Sequence, residues 1–247
     1  MVSGRPDQPD RHDAAGPPRS GTPWSVSCIV PVFNGEEYLA QALDSIFAQT
    51  LPALEVLVVD DGSSDGTPDI ARGYADRVVY LRVPHAGQSA ARNHGIRAAR
   101  GDLVAFLDAD DLAHPTKLAR QAARFEARPD LHFSRALVLD FWTPELPVEL
   151  RPARELPGPH PGPVSTWLVR REVFQRIGGF EPTMRFGEAA EWYHRARESG
   201  VVIDLLAEVV AYRRLHRHNM TRGHREEQVD SLFTVIQAAM ERKRRQS

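Results

Sequence analysis

Short apolar runs alternate with segments of helical periodicity through the first half of this chain. Four runs rich in β-branched residues are predicted strands: Val26–Phe33, Leu54–Val59, Val78–Val83 and Leu103–Leu107. Helices are predicted over Glu36–Gln49 and Ser89–Ala99, and another begins at Thr67, the expected N-cap, with Pro68 at its first helical position. Continuous apolar strands separated by helices favour an α/β fold with a mostly parallel sheet covered on both faces.

The second half is less regular. Helices are predicted over Pro115–Arg128, Arg171–Ile177 and Glu188–Ser199. Leu131–Phe141 is a predicted strand, and Val201–Tyr212 is predicted to hold one or two short strands. The chain ends in a predicted amphipathic helix, Gln228–Arg242, with Leu232, Val235, Ile236 and Ala239 on one face. Residues 151–163 contain five prolines and are predicted to form a loop or flap. Residues 1–24 lack hydrophobic periodicity and are predicted to be a disordered leader.

Composition and charge narrow the classes of function. The chain has 247 residues, 42% hydrophobic and 26% charged, with a formal net charge of −2. This balance creates no global basic field, so no nucleic-acid partner is expected. No apolar run approaches the ~18 residues of a membrane span, and no signal-peptide core follows Met1. The single cysteine, Cys28, excludes an intrachain disulfide and fits a cytoplasmic location.

Polar or small residues follow each of the four predicted strands. They form four segments: Phe33–Gly35, Asp60–Ser63, His85–Gln88 and Asp108–Asp111. In open α/β sheets, ligands bind beyond the carboxyl ends of the strands. We therefore expect these segments to meet in one ligand site.

The segment Asp108–Asp111 places three carboxylates at the end of a buried strand. Clustered negative charge needs a positive neighbour. Hard cations such as Mg2+ or Mn2+ prefer carboxylate oxygens and often keep a phosphate as a further ligand. The pattern thus predicts a metal-bridged nucleotide site, and the alternative is a solvated acidic turn that caps the helix near Pro115.

Several motifs occur in a fixed order along the chain: Val30–Gly35, Glu55–Thr67, Gly87–Gly95, Ala105–Asp111 with Pro115–Leu118, and Ile177–Glu181. This order closely resembles family-2 glycosyltransferases of the GT-A fold, over about residues 26–220. The resemblance implies a Rossmann-like, mostly parallel sheet with a small acceptor-side sheet or flap. It also implies a metal-dependent, inverting transfer of a sugar from a nucleotide diphosphate sugar, expected to be UDP-linked.

The resemblance also divides the chain. Residues 25–222 would form the transferase domain, with 25–112 as the nucleotide-binding half and 113–222 as the acceptor half. Residues 223–247 would be a C-terminal helix with a basic tail, which either contacts an anionic membrane surface or is simply solvated. The acceptor and the oligomeric state are not readable from the sequence.

Family members assign roles to matching positions of this chain. The residues implied to bind the donor nucleotide are Pro31, Phe33, Asn34, Glu36, Asp60, Asp61, Arg92, Asp108 and Ala109. Among them, Asp61 would contact the base with support from Asp60, and Arg92 would bind diphosphate oxygens or pair with a nearby acid. Glu36 either accepts from a ribose hydroxyl or favours its helix's N-terminus. Asp108 would reach the ribose or a metal-bound water.

The implied metal ligands are Asp110 and His216, which would hold Mn2+ or Mg2+. The cation would offset the charge of the diphosphate and stabilise UDP as a leaving group. The alternative is that His216, which follows the last strand, has only a structural role.

The general base is the position where this chain departs from the family. An inverting transferase needs a carboxylate to accept the acceptor's proton, and Ala189 occupies the place where family members carry that aspartate. Glu188 and Glu191, three residues apart on one helix, are the candidate replacements. Two function classes stay open: an active transferase, or a catalytically degenerate nucleotide-sugar-binding partner protein. A nucleotidyltransferase is disfavoured because Asn34–Glu37 is not a Gly-rich basic loop.

Overall fold

The computed structural model of the protein describes residues 24–143, 156–219 and 224–246. The predicted leader over residues 1–24, except Trp24, lies outside these ranges. Residues 151–155 of the predicted Pro-rich loop also lie outside them.

The first half of the chain forms the predicted alternation of strands and helices. Its elements are β1 (Val26–Val32), α1 (Leu39–Phe47), β2 (Glu55–Asp60), α2 (Thr67–Gly73), β3 (Val79–Arg82), α3 (Gln88–Ala98) and β4 (Leu103–Phe106). β1 pairs in parallel with β2 and β4, and β2 pairs in parallel with β3. Every residue of β1, β2 and β4 is buried, because one hydrophobic cluster covers each face of the sheet. The predicted parallel α/β sheet is confirmed.

The second half adds short strands and the remaining helices. These elements are β5 (Leu112–Ala113), α4 (Lys117–Ala127), β6 (Phe133–Trp142), β7 (His160–Pro161), β8 (Leu168–Arg170), α5 (Arg171–Ile177), α6 (Glu188–Glu198), β9 (Ile203–Leu215) and α7 (Arg225–Gln246). In the described residues one sheet runs β3-β2-β1-β4-β8-β6-β9-β5, with β7 paired to β6. β8 is antiparallel to both β4 and β6, so the two halves share a single sheet.

The pairing of β5 with β9 positions the functional residues. β5 follows Asp111 directly, and Leu112 lies opposite Tyr212 near the carboxyl end of β9. The turn over residues 108–111 is thereby brought beside the segment that leaves β9 at Leu215. Residues about 100 positions apart in the sequence therefore meet at one edge of the sheet.

Several local structures differ from the sequence predictions. The short strand β7 lies inside the predicted Pro-rich loop and pairs with β6. The region predicted to hold one or two short strands is one strand of 13 residues, β9, because it pairs with β6 along its length despite irregular register near Leu137. Thr67 is the first residue of α2 and not its N-cap, which is Gly66. The Thr67 hydroxyl instead accepts the backbone N–H of Gly35 at 2.8 Å.

The terminal helix α7 packs differently from its predicted apolar face. Val235 is buried, but Ile236 is 47% exposed, while the side chain of Leu232 lies outside the described part. Val235 is buried because α7 lies against the start of α6, where a Cβ added to Gly187 would be 3.4 Å from the Val235 side chain. Among the described helices, none combines the length and hydropathy that a membrane-spanning segment needs.

Lys117, the first residue of α4, has a buried amine. Its Nζ donates to the Ser165 carbonyl at 2.7 Å, and burial lowers its pKa from 10.5 to about 7. The unfolded chain therefore binds more protons than the folded protein above about pH 7, so stability rises with pH by up to ~1.4 kcal/mol per unit. Cys28 contributes the opposite trend, because burial raises the pKa of its thiol from 9.0 to about 12. Above about pH 9.0, its contribution to stability therefore falls as the pH rises.

We expect wild type to gain about 2 kcal/mol of unfolding free energy relative to Lys117→Met between about pH 7 and pH 9. Urea denaturation of both proteins across this range measures the difference. Parallel pH profiles for the two proteins would contradict the assignment of a neutral Lys117 in the fold.

Candidate functional site

A cavity of about 530 Å³ opens at the carboxyl ends of β1 and β2. Phe33 stands at its wall with 49% of its surface exposed, and its ring stacks on His85 with centroids 4.3 Å apart. Pro31, Asp61 and the loop over residues 182–185 also line the cavity. An aromatic surface beside a buried carboxylate suits a planar heterocycle that carries a ring N–H.

Asp61 is a buried carboxylate that organises the turn before α3. Its two oxygens accept the backbone N–H groups of Ala86 at 2.8 Å and Gly87 at 2.9 Å. His85 Nδ1 lies 2.8 Å from Oδ2 of the same carboxylate. The chain turns here at Gly62, whose φ of +80° favours glycine. A Cβ added to Gly62 would lie 3.1 Å from the backbone nitrogen of His85.

Asp60, the neighbour of Asp61, points into the protein. It is fully buried, accepts the Ser63 N–H at 2.7 Å and accepts a hydrogen bond from the Tyr80 hydroxyl. Burial and this bond to Asp60 raise the pKa of Tyr80 to about 12. Asp60 thus supports the loop that carries Asp61.

The segment after β1 is tied to the start of α2. Asn34 has a φ of +50°, and its Oδ1 accepts the Ser64 N–H at 2.9 Å. The exposed Glu36 carboxylate accepts the Gly66 N–H at 2.6 Å. These contacts order the rim of the cavity. Among the described residues, Asn34, Glu36 and Asp60 do not line the cavity itself.

A second cavity of about 360 Å³ continues along the same edge of the sheet and shares Gln88 with the first. Its wall includes Arg92, Asp108, Asp110 and Glu188. Ala109, between the two aspartates, packs against the hydrophobic cluster that includes α1. The two cavities adjoin at Gln88 and form a groove that runs from Phe33 to the start of α6.

Arg92 bridges two carboxylates across the second cavity. Its Nη2 donates to Asp108 at 2.8 Å and its Nη1 donates to Glu188 at 2.8 Å, although only 3% of the side chain is exposed. Burial alone would lower the pKa of Arg92, but the two carboxylates raise it above the usual value. Gln88 donates a further bond to Asp108 at 3.1 Å. Arg92 therefore belongs to a buried ion-pair network.

Asp110 and His216 meet at the far side of the same cavity. His216 Nε2 lies 3.0 Å from Asp110 Oδ2, and Asn219 Nδ2 lies 3.4 Å from that oxygen. The His218 N–H donates to Nδ1 of His216 at 3.2 Å, so in this arrangement the ring hydrogen is on Nε2, which donates to Asp110. The Asp110 side chain is 34% exposed, and that of His216 is 8% exposed.

The Asp111 carboxylate is almost fully buried, although the residue also lines the second cavity. Oδ1 accepts the Arg214 N–H at 3.1 Å and Oδ2 accepts the Ser165 hydroxyl at 2.9 Å. Burial and the negative charges of Asp110 and Asp108 raise its pKa well above the usual range. Asp111 therefore holds the turn together through these two bonds, and Asp108 and Asp110 are the more exposed carboxylates of the same cavity wall.

The donor set fits a cation that keeps most of its ligands from a substrate. In the described part of the chain, no three His, Cys, Asp or Glu side chains converge as a preformed metal cage. Asp110 and His216 converge as a pair. Mg2+ and similar cations are commonly held by one or two carboxylates plus substrate phosphates, so two protein ligands beside an open cavity are compatible with such a site.

The start of α6 separates the two candidate bases. Glu188 lines the second cavity beside Ala189. Glu191 instead pairs with Arg195 at 3.0 Å and with Arg242 of α7 at 2.9 Å, and it is not in the described cavity wall. Trp192 is fully buried and donates its indole N–H to the Gly178 carbonyl at 2.9 Å, so it belongs to the core.

Three side chains contact the carboxylates of the site in ways that the sequence reasoning did not specify. Gln88 touches Asp108, Ser165 touches Asp111, and Arg214 Nε donates to the Asp110 carbonyl at 2.9 Å. Gln88 was recoverable, since it ends one of the polar segments that follow a strand. Ser165 carries no sequence signal. The sequence left Arg214 as a diphosphate contact or part of a solvated basic face, whereas its side chain is buried and its contacts depend on how β9 pairs.

Comparison with known proteins agrees with this geometry. Residues 27–178 match glycosyl transferase family 2, so the chain belongs to that family. The match confirms the family that the order of the motifs predicted.

Its relatives include two glycosyltransferases whose functions are uncharacterized. The chain is 29% identical over 224 residues to one from Rickettsia prowazekii, covering 79% of this chain and 65% of the relative. It is 33% identical over 188 residues to EpsJ from Bacillus subtilis, covering 66% of this chain and 53% of the relative. The chain thus spans between half and two thirds of the length of these relatives.

Solved structures confirm the predicted GT-A-type fold. Staphylococcus aureus TarS residues 1–349 in complex with UDP-GlcNAc align with a TM-score of 0.68 and 20% identity, covering 85% of this chain and 65% of that one. The mannosyltransferase PcManGT from Pyrobaculum calidifontis, in complex with GDP-Man and Mn2+, gives a TM-score of 0.68 and 22% identity. That match covers 92% of this chain and 67% of PcManGT.

Proposed function

We propose that this chain transfers a sugar from a nucleotide diphosphate sugar to an acceptor hydroxyl, with inversion at the anomeric carbon. The observation that carries the proposal is the continuity of the two cavities through Gln88. One end of the groove offers an aromatic surface and a buried carboxylate, and the other offers a carboxylate turn beside Glu188. A nucleotide sugar needs these features in the same order, for its base, its diphosphate and its sugar.

The nucleotide end favours a UDP-linked donor. The Phe33 ring would stack on the base, and the Asp61 carboxylate would accept from a ring N–H such as that of uracil. Pro31 and Asn34 would shape the rim, and Asp108 would accept from a ribose hydroxyl. Since TarS was solved with UDP-GlcNAc and PcManGT with GDP-Man, a donor panel must include both nucleotides.

Asp110 is the proposed ligand for Mn2+ or Mg2+, with His216 as its partner. When bound, the cation offsets the charge on the diphosphate and stabilises it as a leaving group. To bind the cation through Nε2, His216 would carry its ring hydrogen on Nδ1. This tautomer would lose the bond that Nδ1 now accepts from the His218 N–H. Arg92 and Gln88 hold Asp108 in the orientation that faces the groove.

Glu188 is the proposed general base. Its Oε1 is fixed by Arg92 at 2.8 Å, and its carboxylate faces the cavity at the N-terminus of α6. The acceptor's proton passes to this carboxylate as the hydroxyl oxygen attacks the anomeric carbon and the nucleotide diphosphate departs. Glu191, held between Arg195 and Arg242, joins α6 to α7 and is proposed to act on stability.

The second candidate function is a nucleotide-sugar-binding partner without turnover. Ala189 favours it, because this position carries the aspartate base in the family that the chain resembles. The ion pair of Glu188 with Arg92 is compatible with either function.

Turnover separates the two candidates. We expect wild type with Mn2+ to release nucleotide from one member of a panel of UDP- and GDP-sugars, and Glu188→Gln to lower that rate by about 10²-fold. This is the lower end of the range for a lost base, since water replaces the natural acceptor in this assay. Glu198→Gln, on the same helix, is the control and should keep the wild-type rate. Tight nucleotide binding without release, even when candidate acceptors are added, would favour the binding protein.

A further inference from the structure

A buried 3-10 turn over Val164–Thr166 lies directly behind the carboxylate turn of residues 108–111. Its three residues are at most 1% exposed, so the turn is part of the protein interior. It precedes β8, whose residues pair with β4, the strand that leads to Asp108. The turn is therefore placed to act on the geometry of the carboxylates.

The Ser165 hydroxyl makes two contacts with the carboxylate turn. Its Oγ accepts the backbone N–H of Asp108 at 3.1 Å and donates to Asp111 Oδ2 at 2.9 Å. A single hydroxyl thus joins the first and last residues of the segment. On the opposite side, the Arg214 N–H donates to Asp111 Oδ1 at 3.1 Å. The turn is clamped from both sides through Asp111.

Buried donors from α4 hold the 3-10 turn in place. Lys117 Nζ donates to the Ser165 carbonyl at 2.7 Å, and Gln121 Nε2 donates to the Thr166 carbonyl at 2.9 Å. Lys117 is 2% exposed and Gln121 is fully buried. A buried lysine head group and amide aimed at two successive carbonyls fix the backbone position of Ser165, and with it the position of the hydroxyl.

We propose that Ser165 is a positioning residue for the cation site: its hydroxyl, anchored by Lys117 and Gln121, fixes the buried Asp111 carboxylate and, through the turn, the orientation of Asp110 toward His216. The inference rests on the proposed function, because the cation is part of that proposal. Partners that orient metal-binding carboxylates typically contribute about 10- to 100-fold to metal affinity.

Titration of Mn2+ in the presence of UDP, followed by electron paramagnetic resonance of the free ion, tests the inference on the full chain. We expect Ser165→Ala to weaken Mn2+ binding by about tenfold and Ser165→Thr, which keeps the hydroxyl, to restore much of it. Ser134→Ala is the matched control: Ser134 is also fully buried, and its hydroxyl has no partner among the described residues. Ser134→Ala should bind Mn2+ as wild type does.

Thermal midpoints separate positioning from loss of stability. The inference is supported if Ser165→Ala loses Mn2+ affinity at a temperature where it is fully folded, and it is overturned if the folded variant binds Mn2+ as wild type does. If Ser165→Ala does not fold, Lys117→Met takes its place, since it removes the contact to the Ser165 carbonyl and keeps the hydroxyl. We expect about threefold weaker Mn2+ binding for that variant, from the loss of part of one buried hydrogen bond, and an unchanged constant would overturn the inference. Failure of wild type itself to bind Mn2+ with UDP or GDP would overturn the proposed cation site and this inference together.

Discussion

Replacing Asp110 with asparagine is expected to lower Mn2+-dependent release of nucleotide from the accepted donor by about 10³-fold. The change keeps the size of the side chain but removes the charge that the cation requires, and a lost metal ligand forfeits several kcal/mol of leaving-group stabilisation. The expected effect is selective, because Asp110 is partly exposed and its removal leaves the inward contacts of Asp111 intact. The thermal midpoint of Asp110→Asn should therefore stay near that of wild type.

Asp69→Asn is the matched control, since Asp69 lies on α2 with an 81% exposed side chain. It should release nucleotide at the wild-type rate. Initial rates at saturating Mn2+ and at several donor concentrations would be compared for the three proteins. A near-normal rate for Asp110→Asn would show that Asp110 does not hold the cation.

Arg92→Leu is expected to lower the same rate by about 10³-fold and to destabilise the fold by about 3–5 kcal/mol. One guanidinium neutralises both Asp108 and Glu188, and its side chain is only 3% exposed. Its loss leaves two partly buried carboxylates at the same cavity without the guanidinium that pairs with both. The donor-side carboxylate and the proposed base would both lose their orientation.

Two further variants test whether stability and activity need the two separate donor groups of the Arg92 guanidinium. Arg92→Lys keeps the charge but offers a compact ammonium in place of two separated donors, so we expect it to recover stability more than activity. Arg97→Leu, on the exposed side of α3, should match wild type in both respects. Urea denaturation measures stability, and nucleotide release measures activity. An active Arg92→Leu protein would contradict the role of this network.

The parallel strands of the sheet were predictable from the local pattern of apolar residues. The strands β1, β2 and β4 are buried on both faces, so their apolar runs were continuous and readable. The same reasoning located Asp61 and Asp108 at strand ends, because loops at one edge of a parallel sheet must converge. Family resemblance supplied the expected roles of these residues, which periodicity alone does not contain.

The network of Arg92 was not predictable in the same way. Its partner Glu188 is 96 residues away in the sequence, and the contact depends on where α6 packs after an irregular second half. The sequence therefore suggested Arg92 as a diphosphate ligand or an ion pair, and left Glu188 and Glu191 equivalent. The packing of α6 distinguishes them, since one glutamate lines the cavity and the other faces α7.

The terminal helix shows a further limit of periodicity. A helical pattern predicts which residues share a face, but not which face meets the protein when several apolar residues surround the axis. In α7, Val235 is buried, whereas Val229, Phe233, Ile236 and Met240 are exposed. The choice of face follows from its contacts with α6, including the ion pairs of Arg242 with Glu191 and Glu198.

Calorimetric titration of UDP into the wild-type protein, with Mn2+ and then with EDTA, tests the central claim most directly. The account predicts saturable binding of one UDP per chain that weakens strongly when Mn2+ is removed, and GDP serves as the comparison nucleotide. Absence of binding for both nucleotides in the presence of Mn2+ would contradict the assignment of the groove to a nucleotide sugar. Equal affinity for UDP with Mn2+ and with EDTA would contradict the cation site at Asp110.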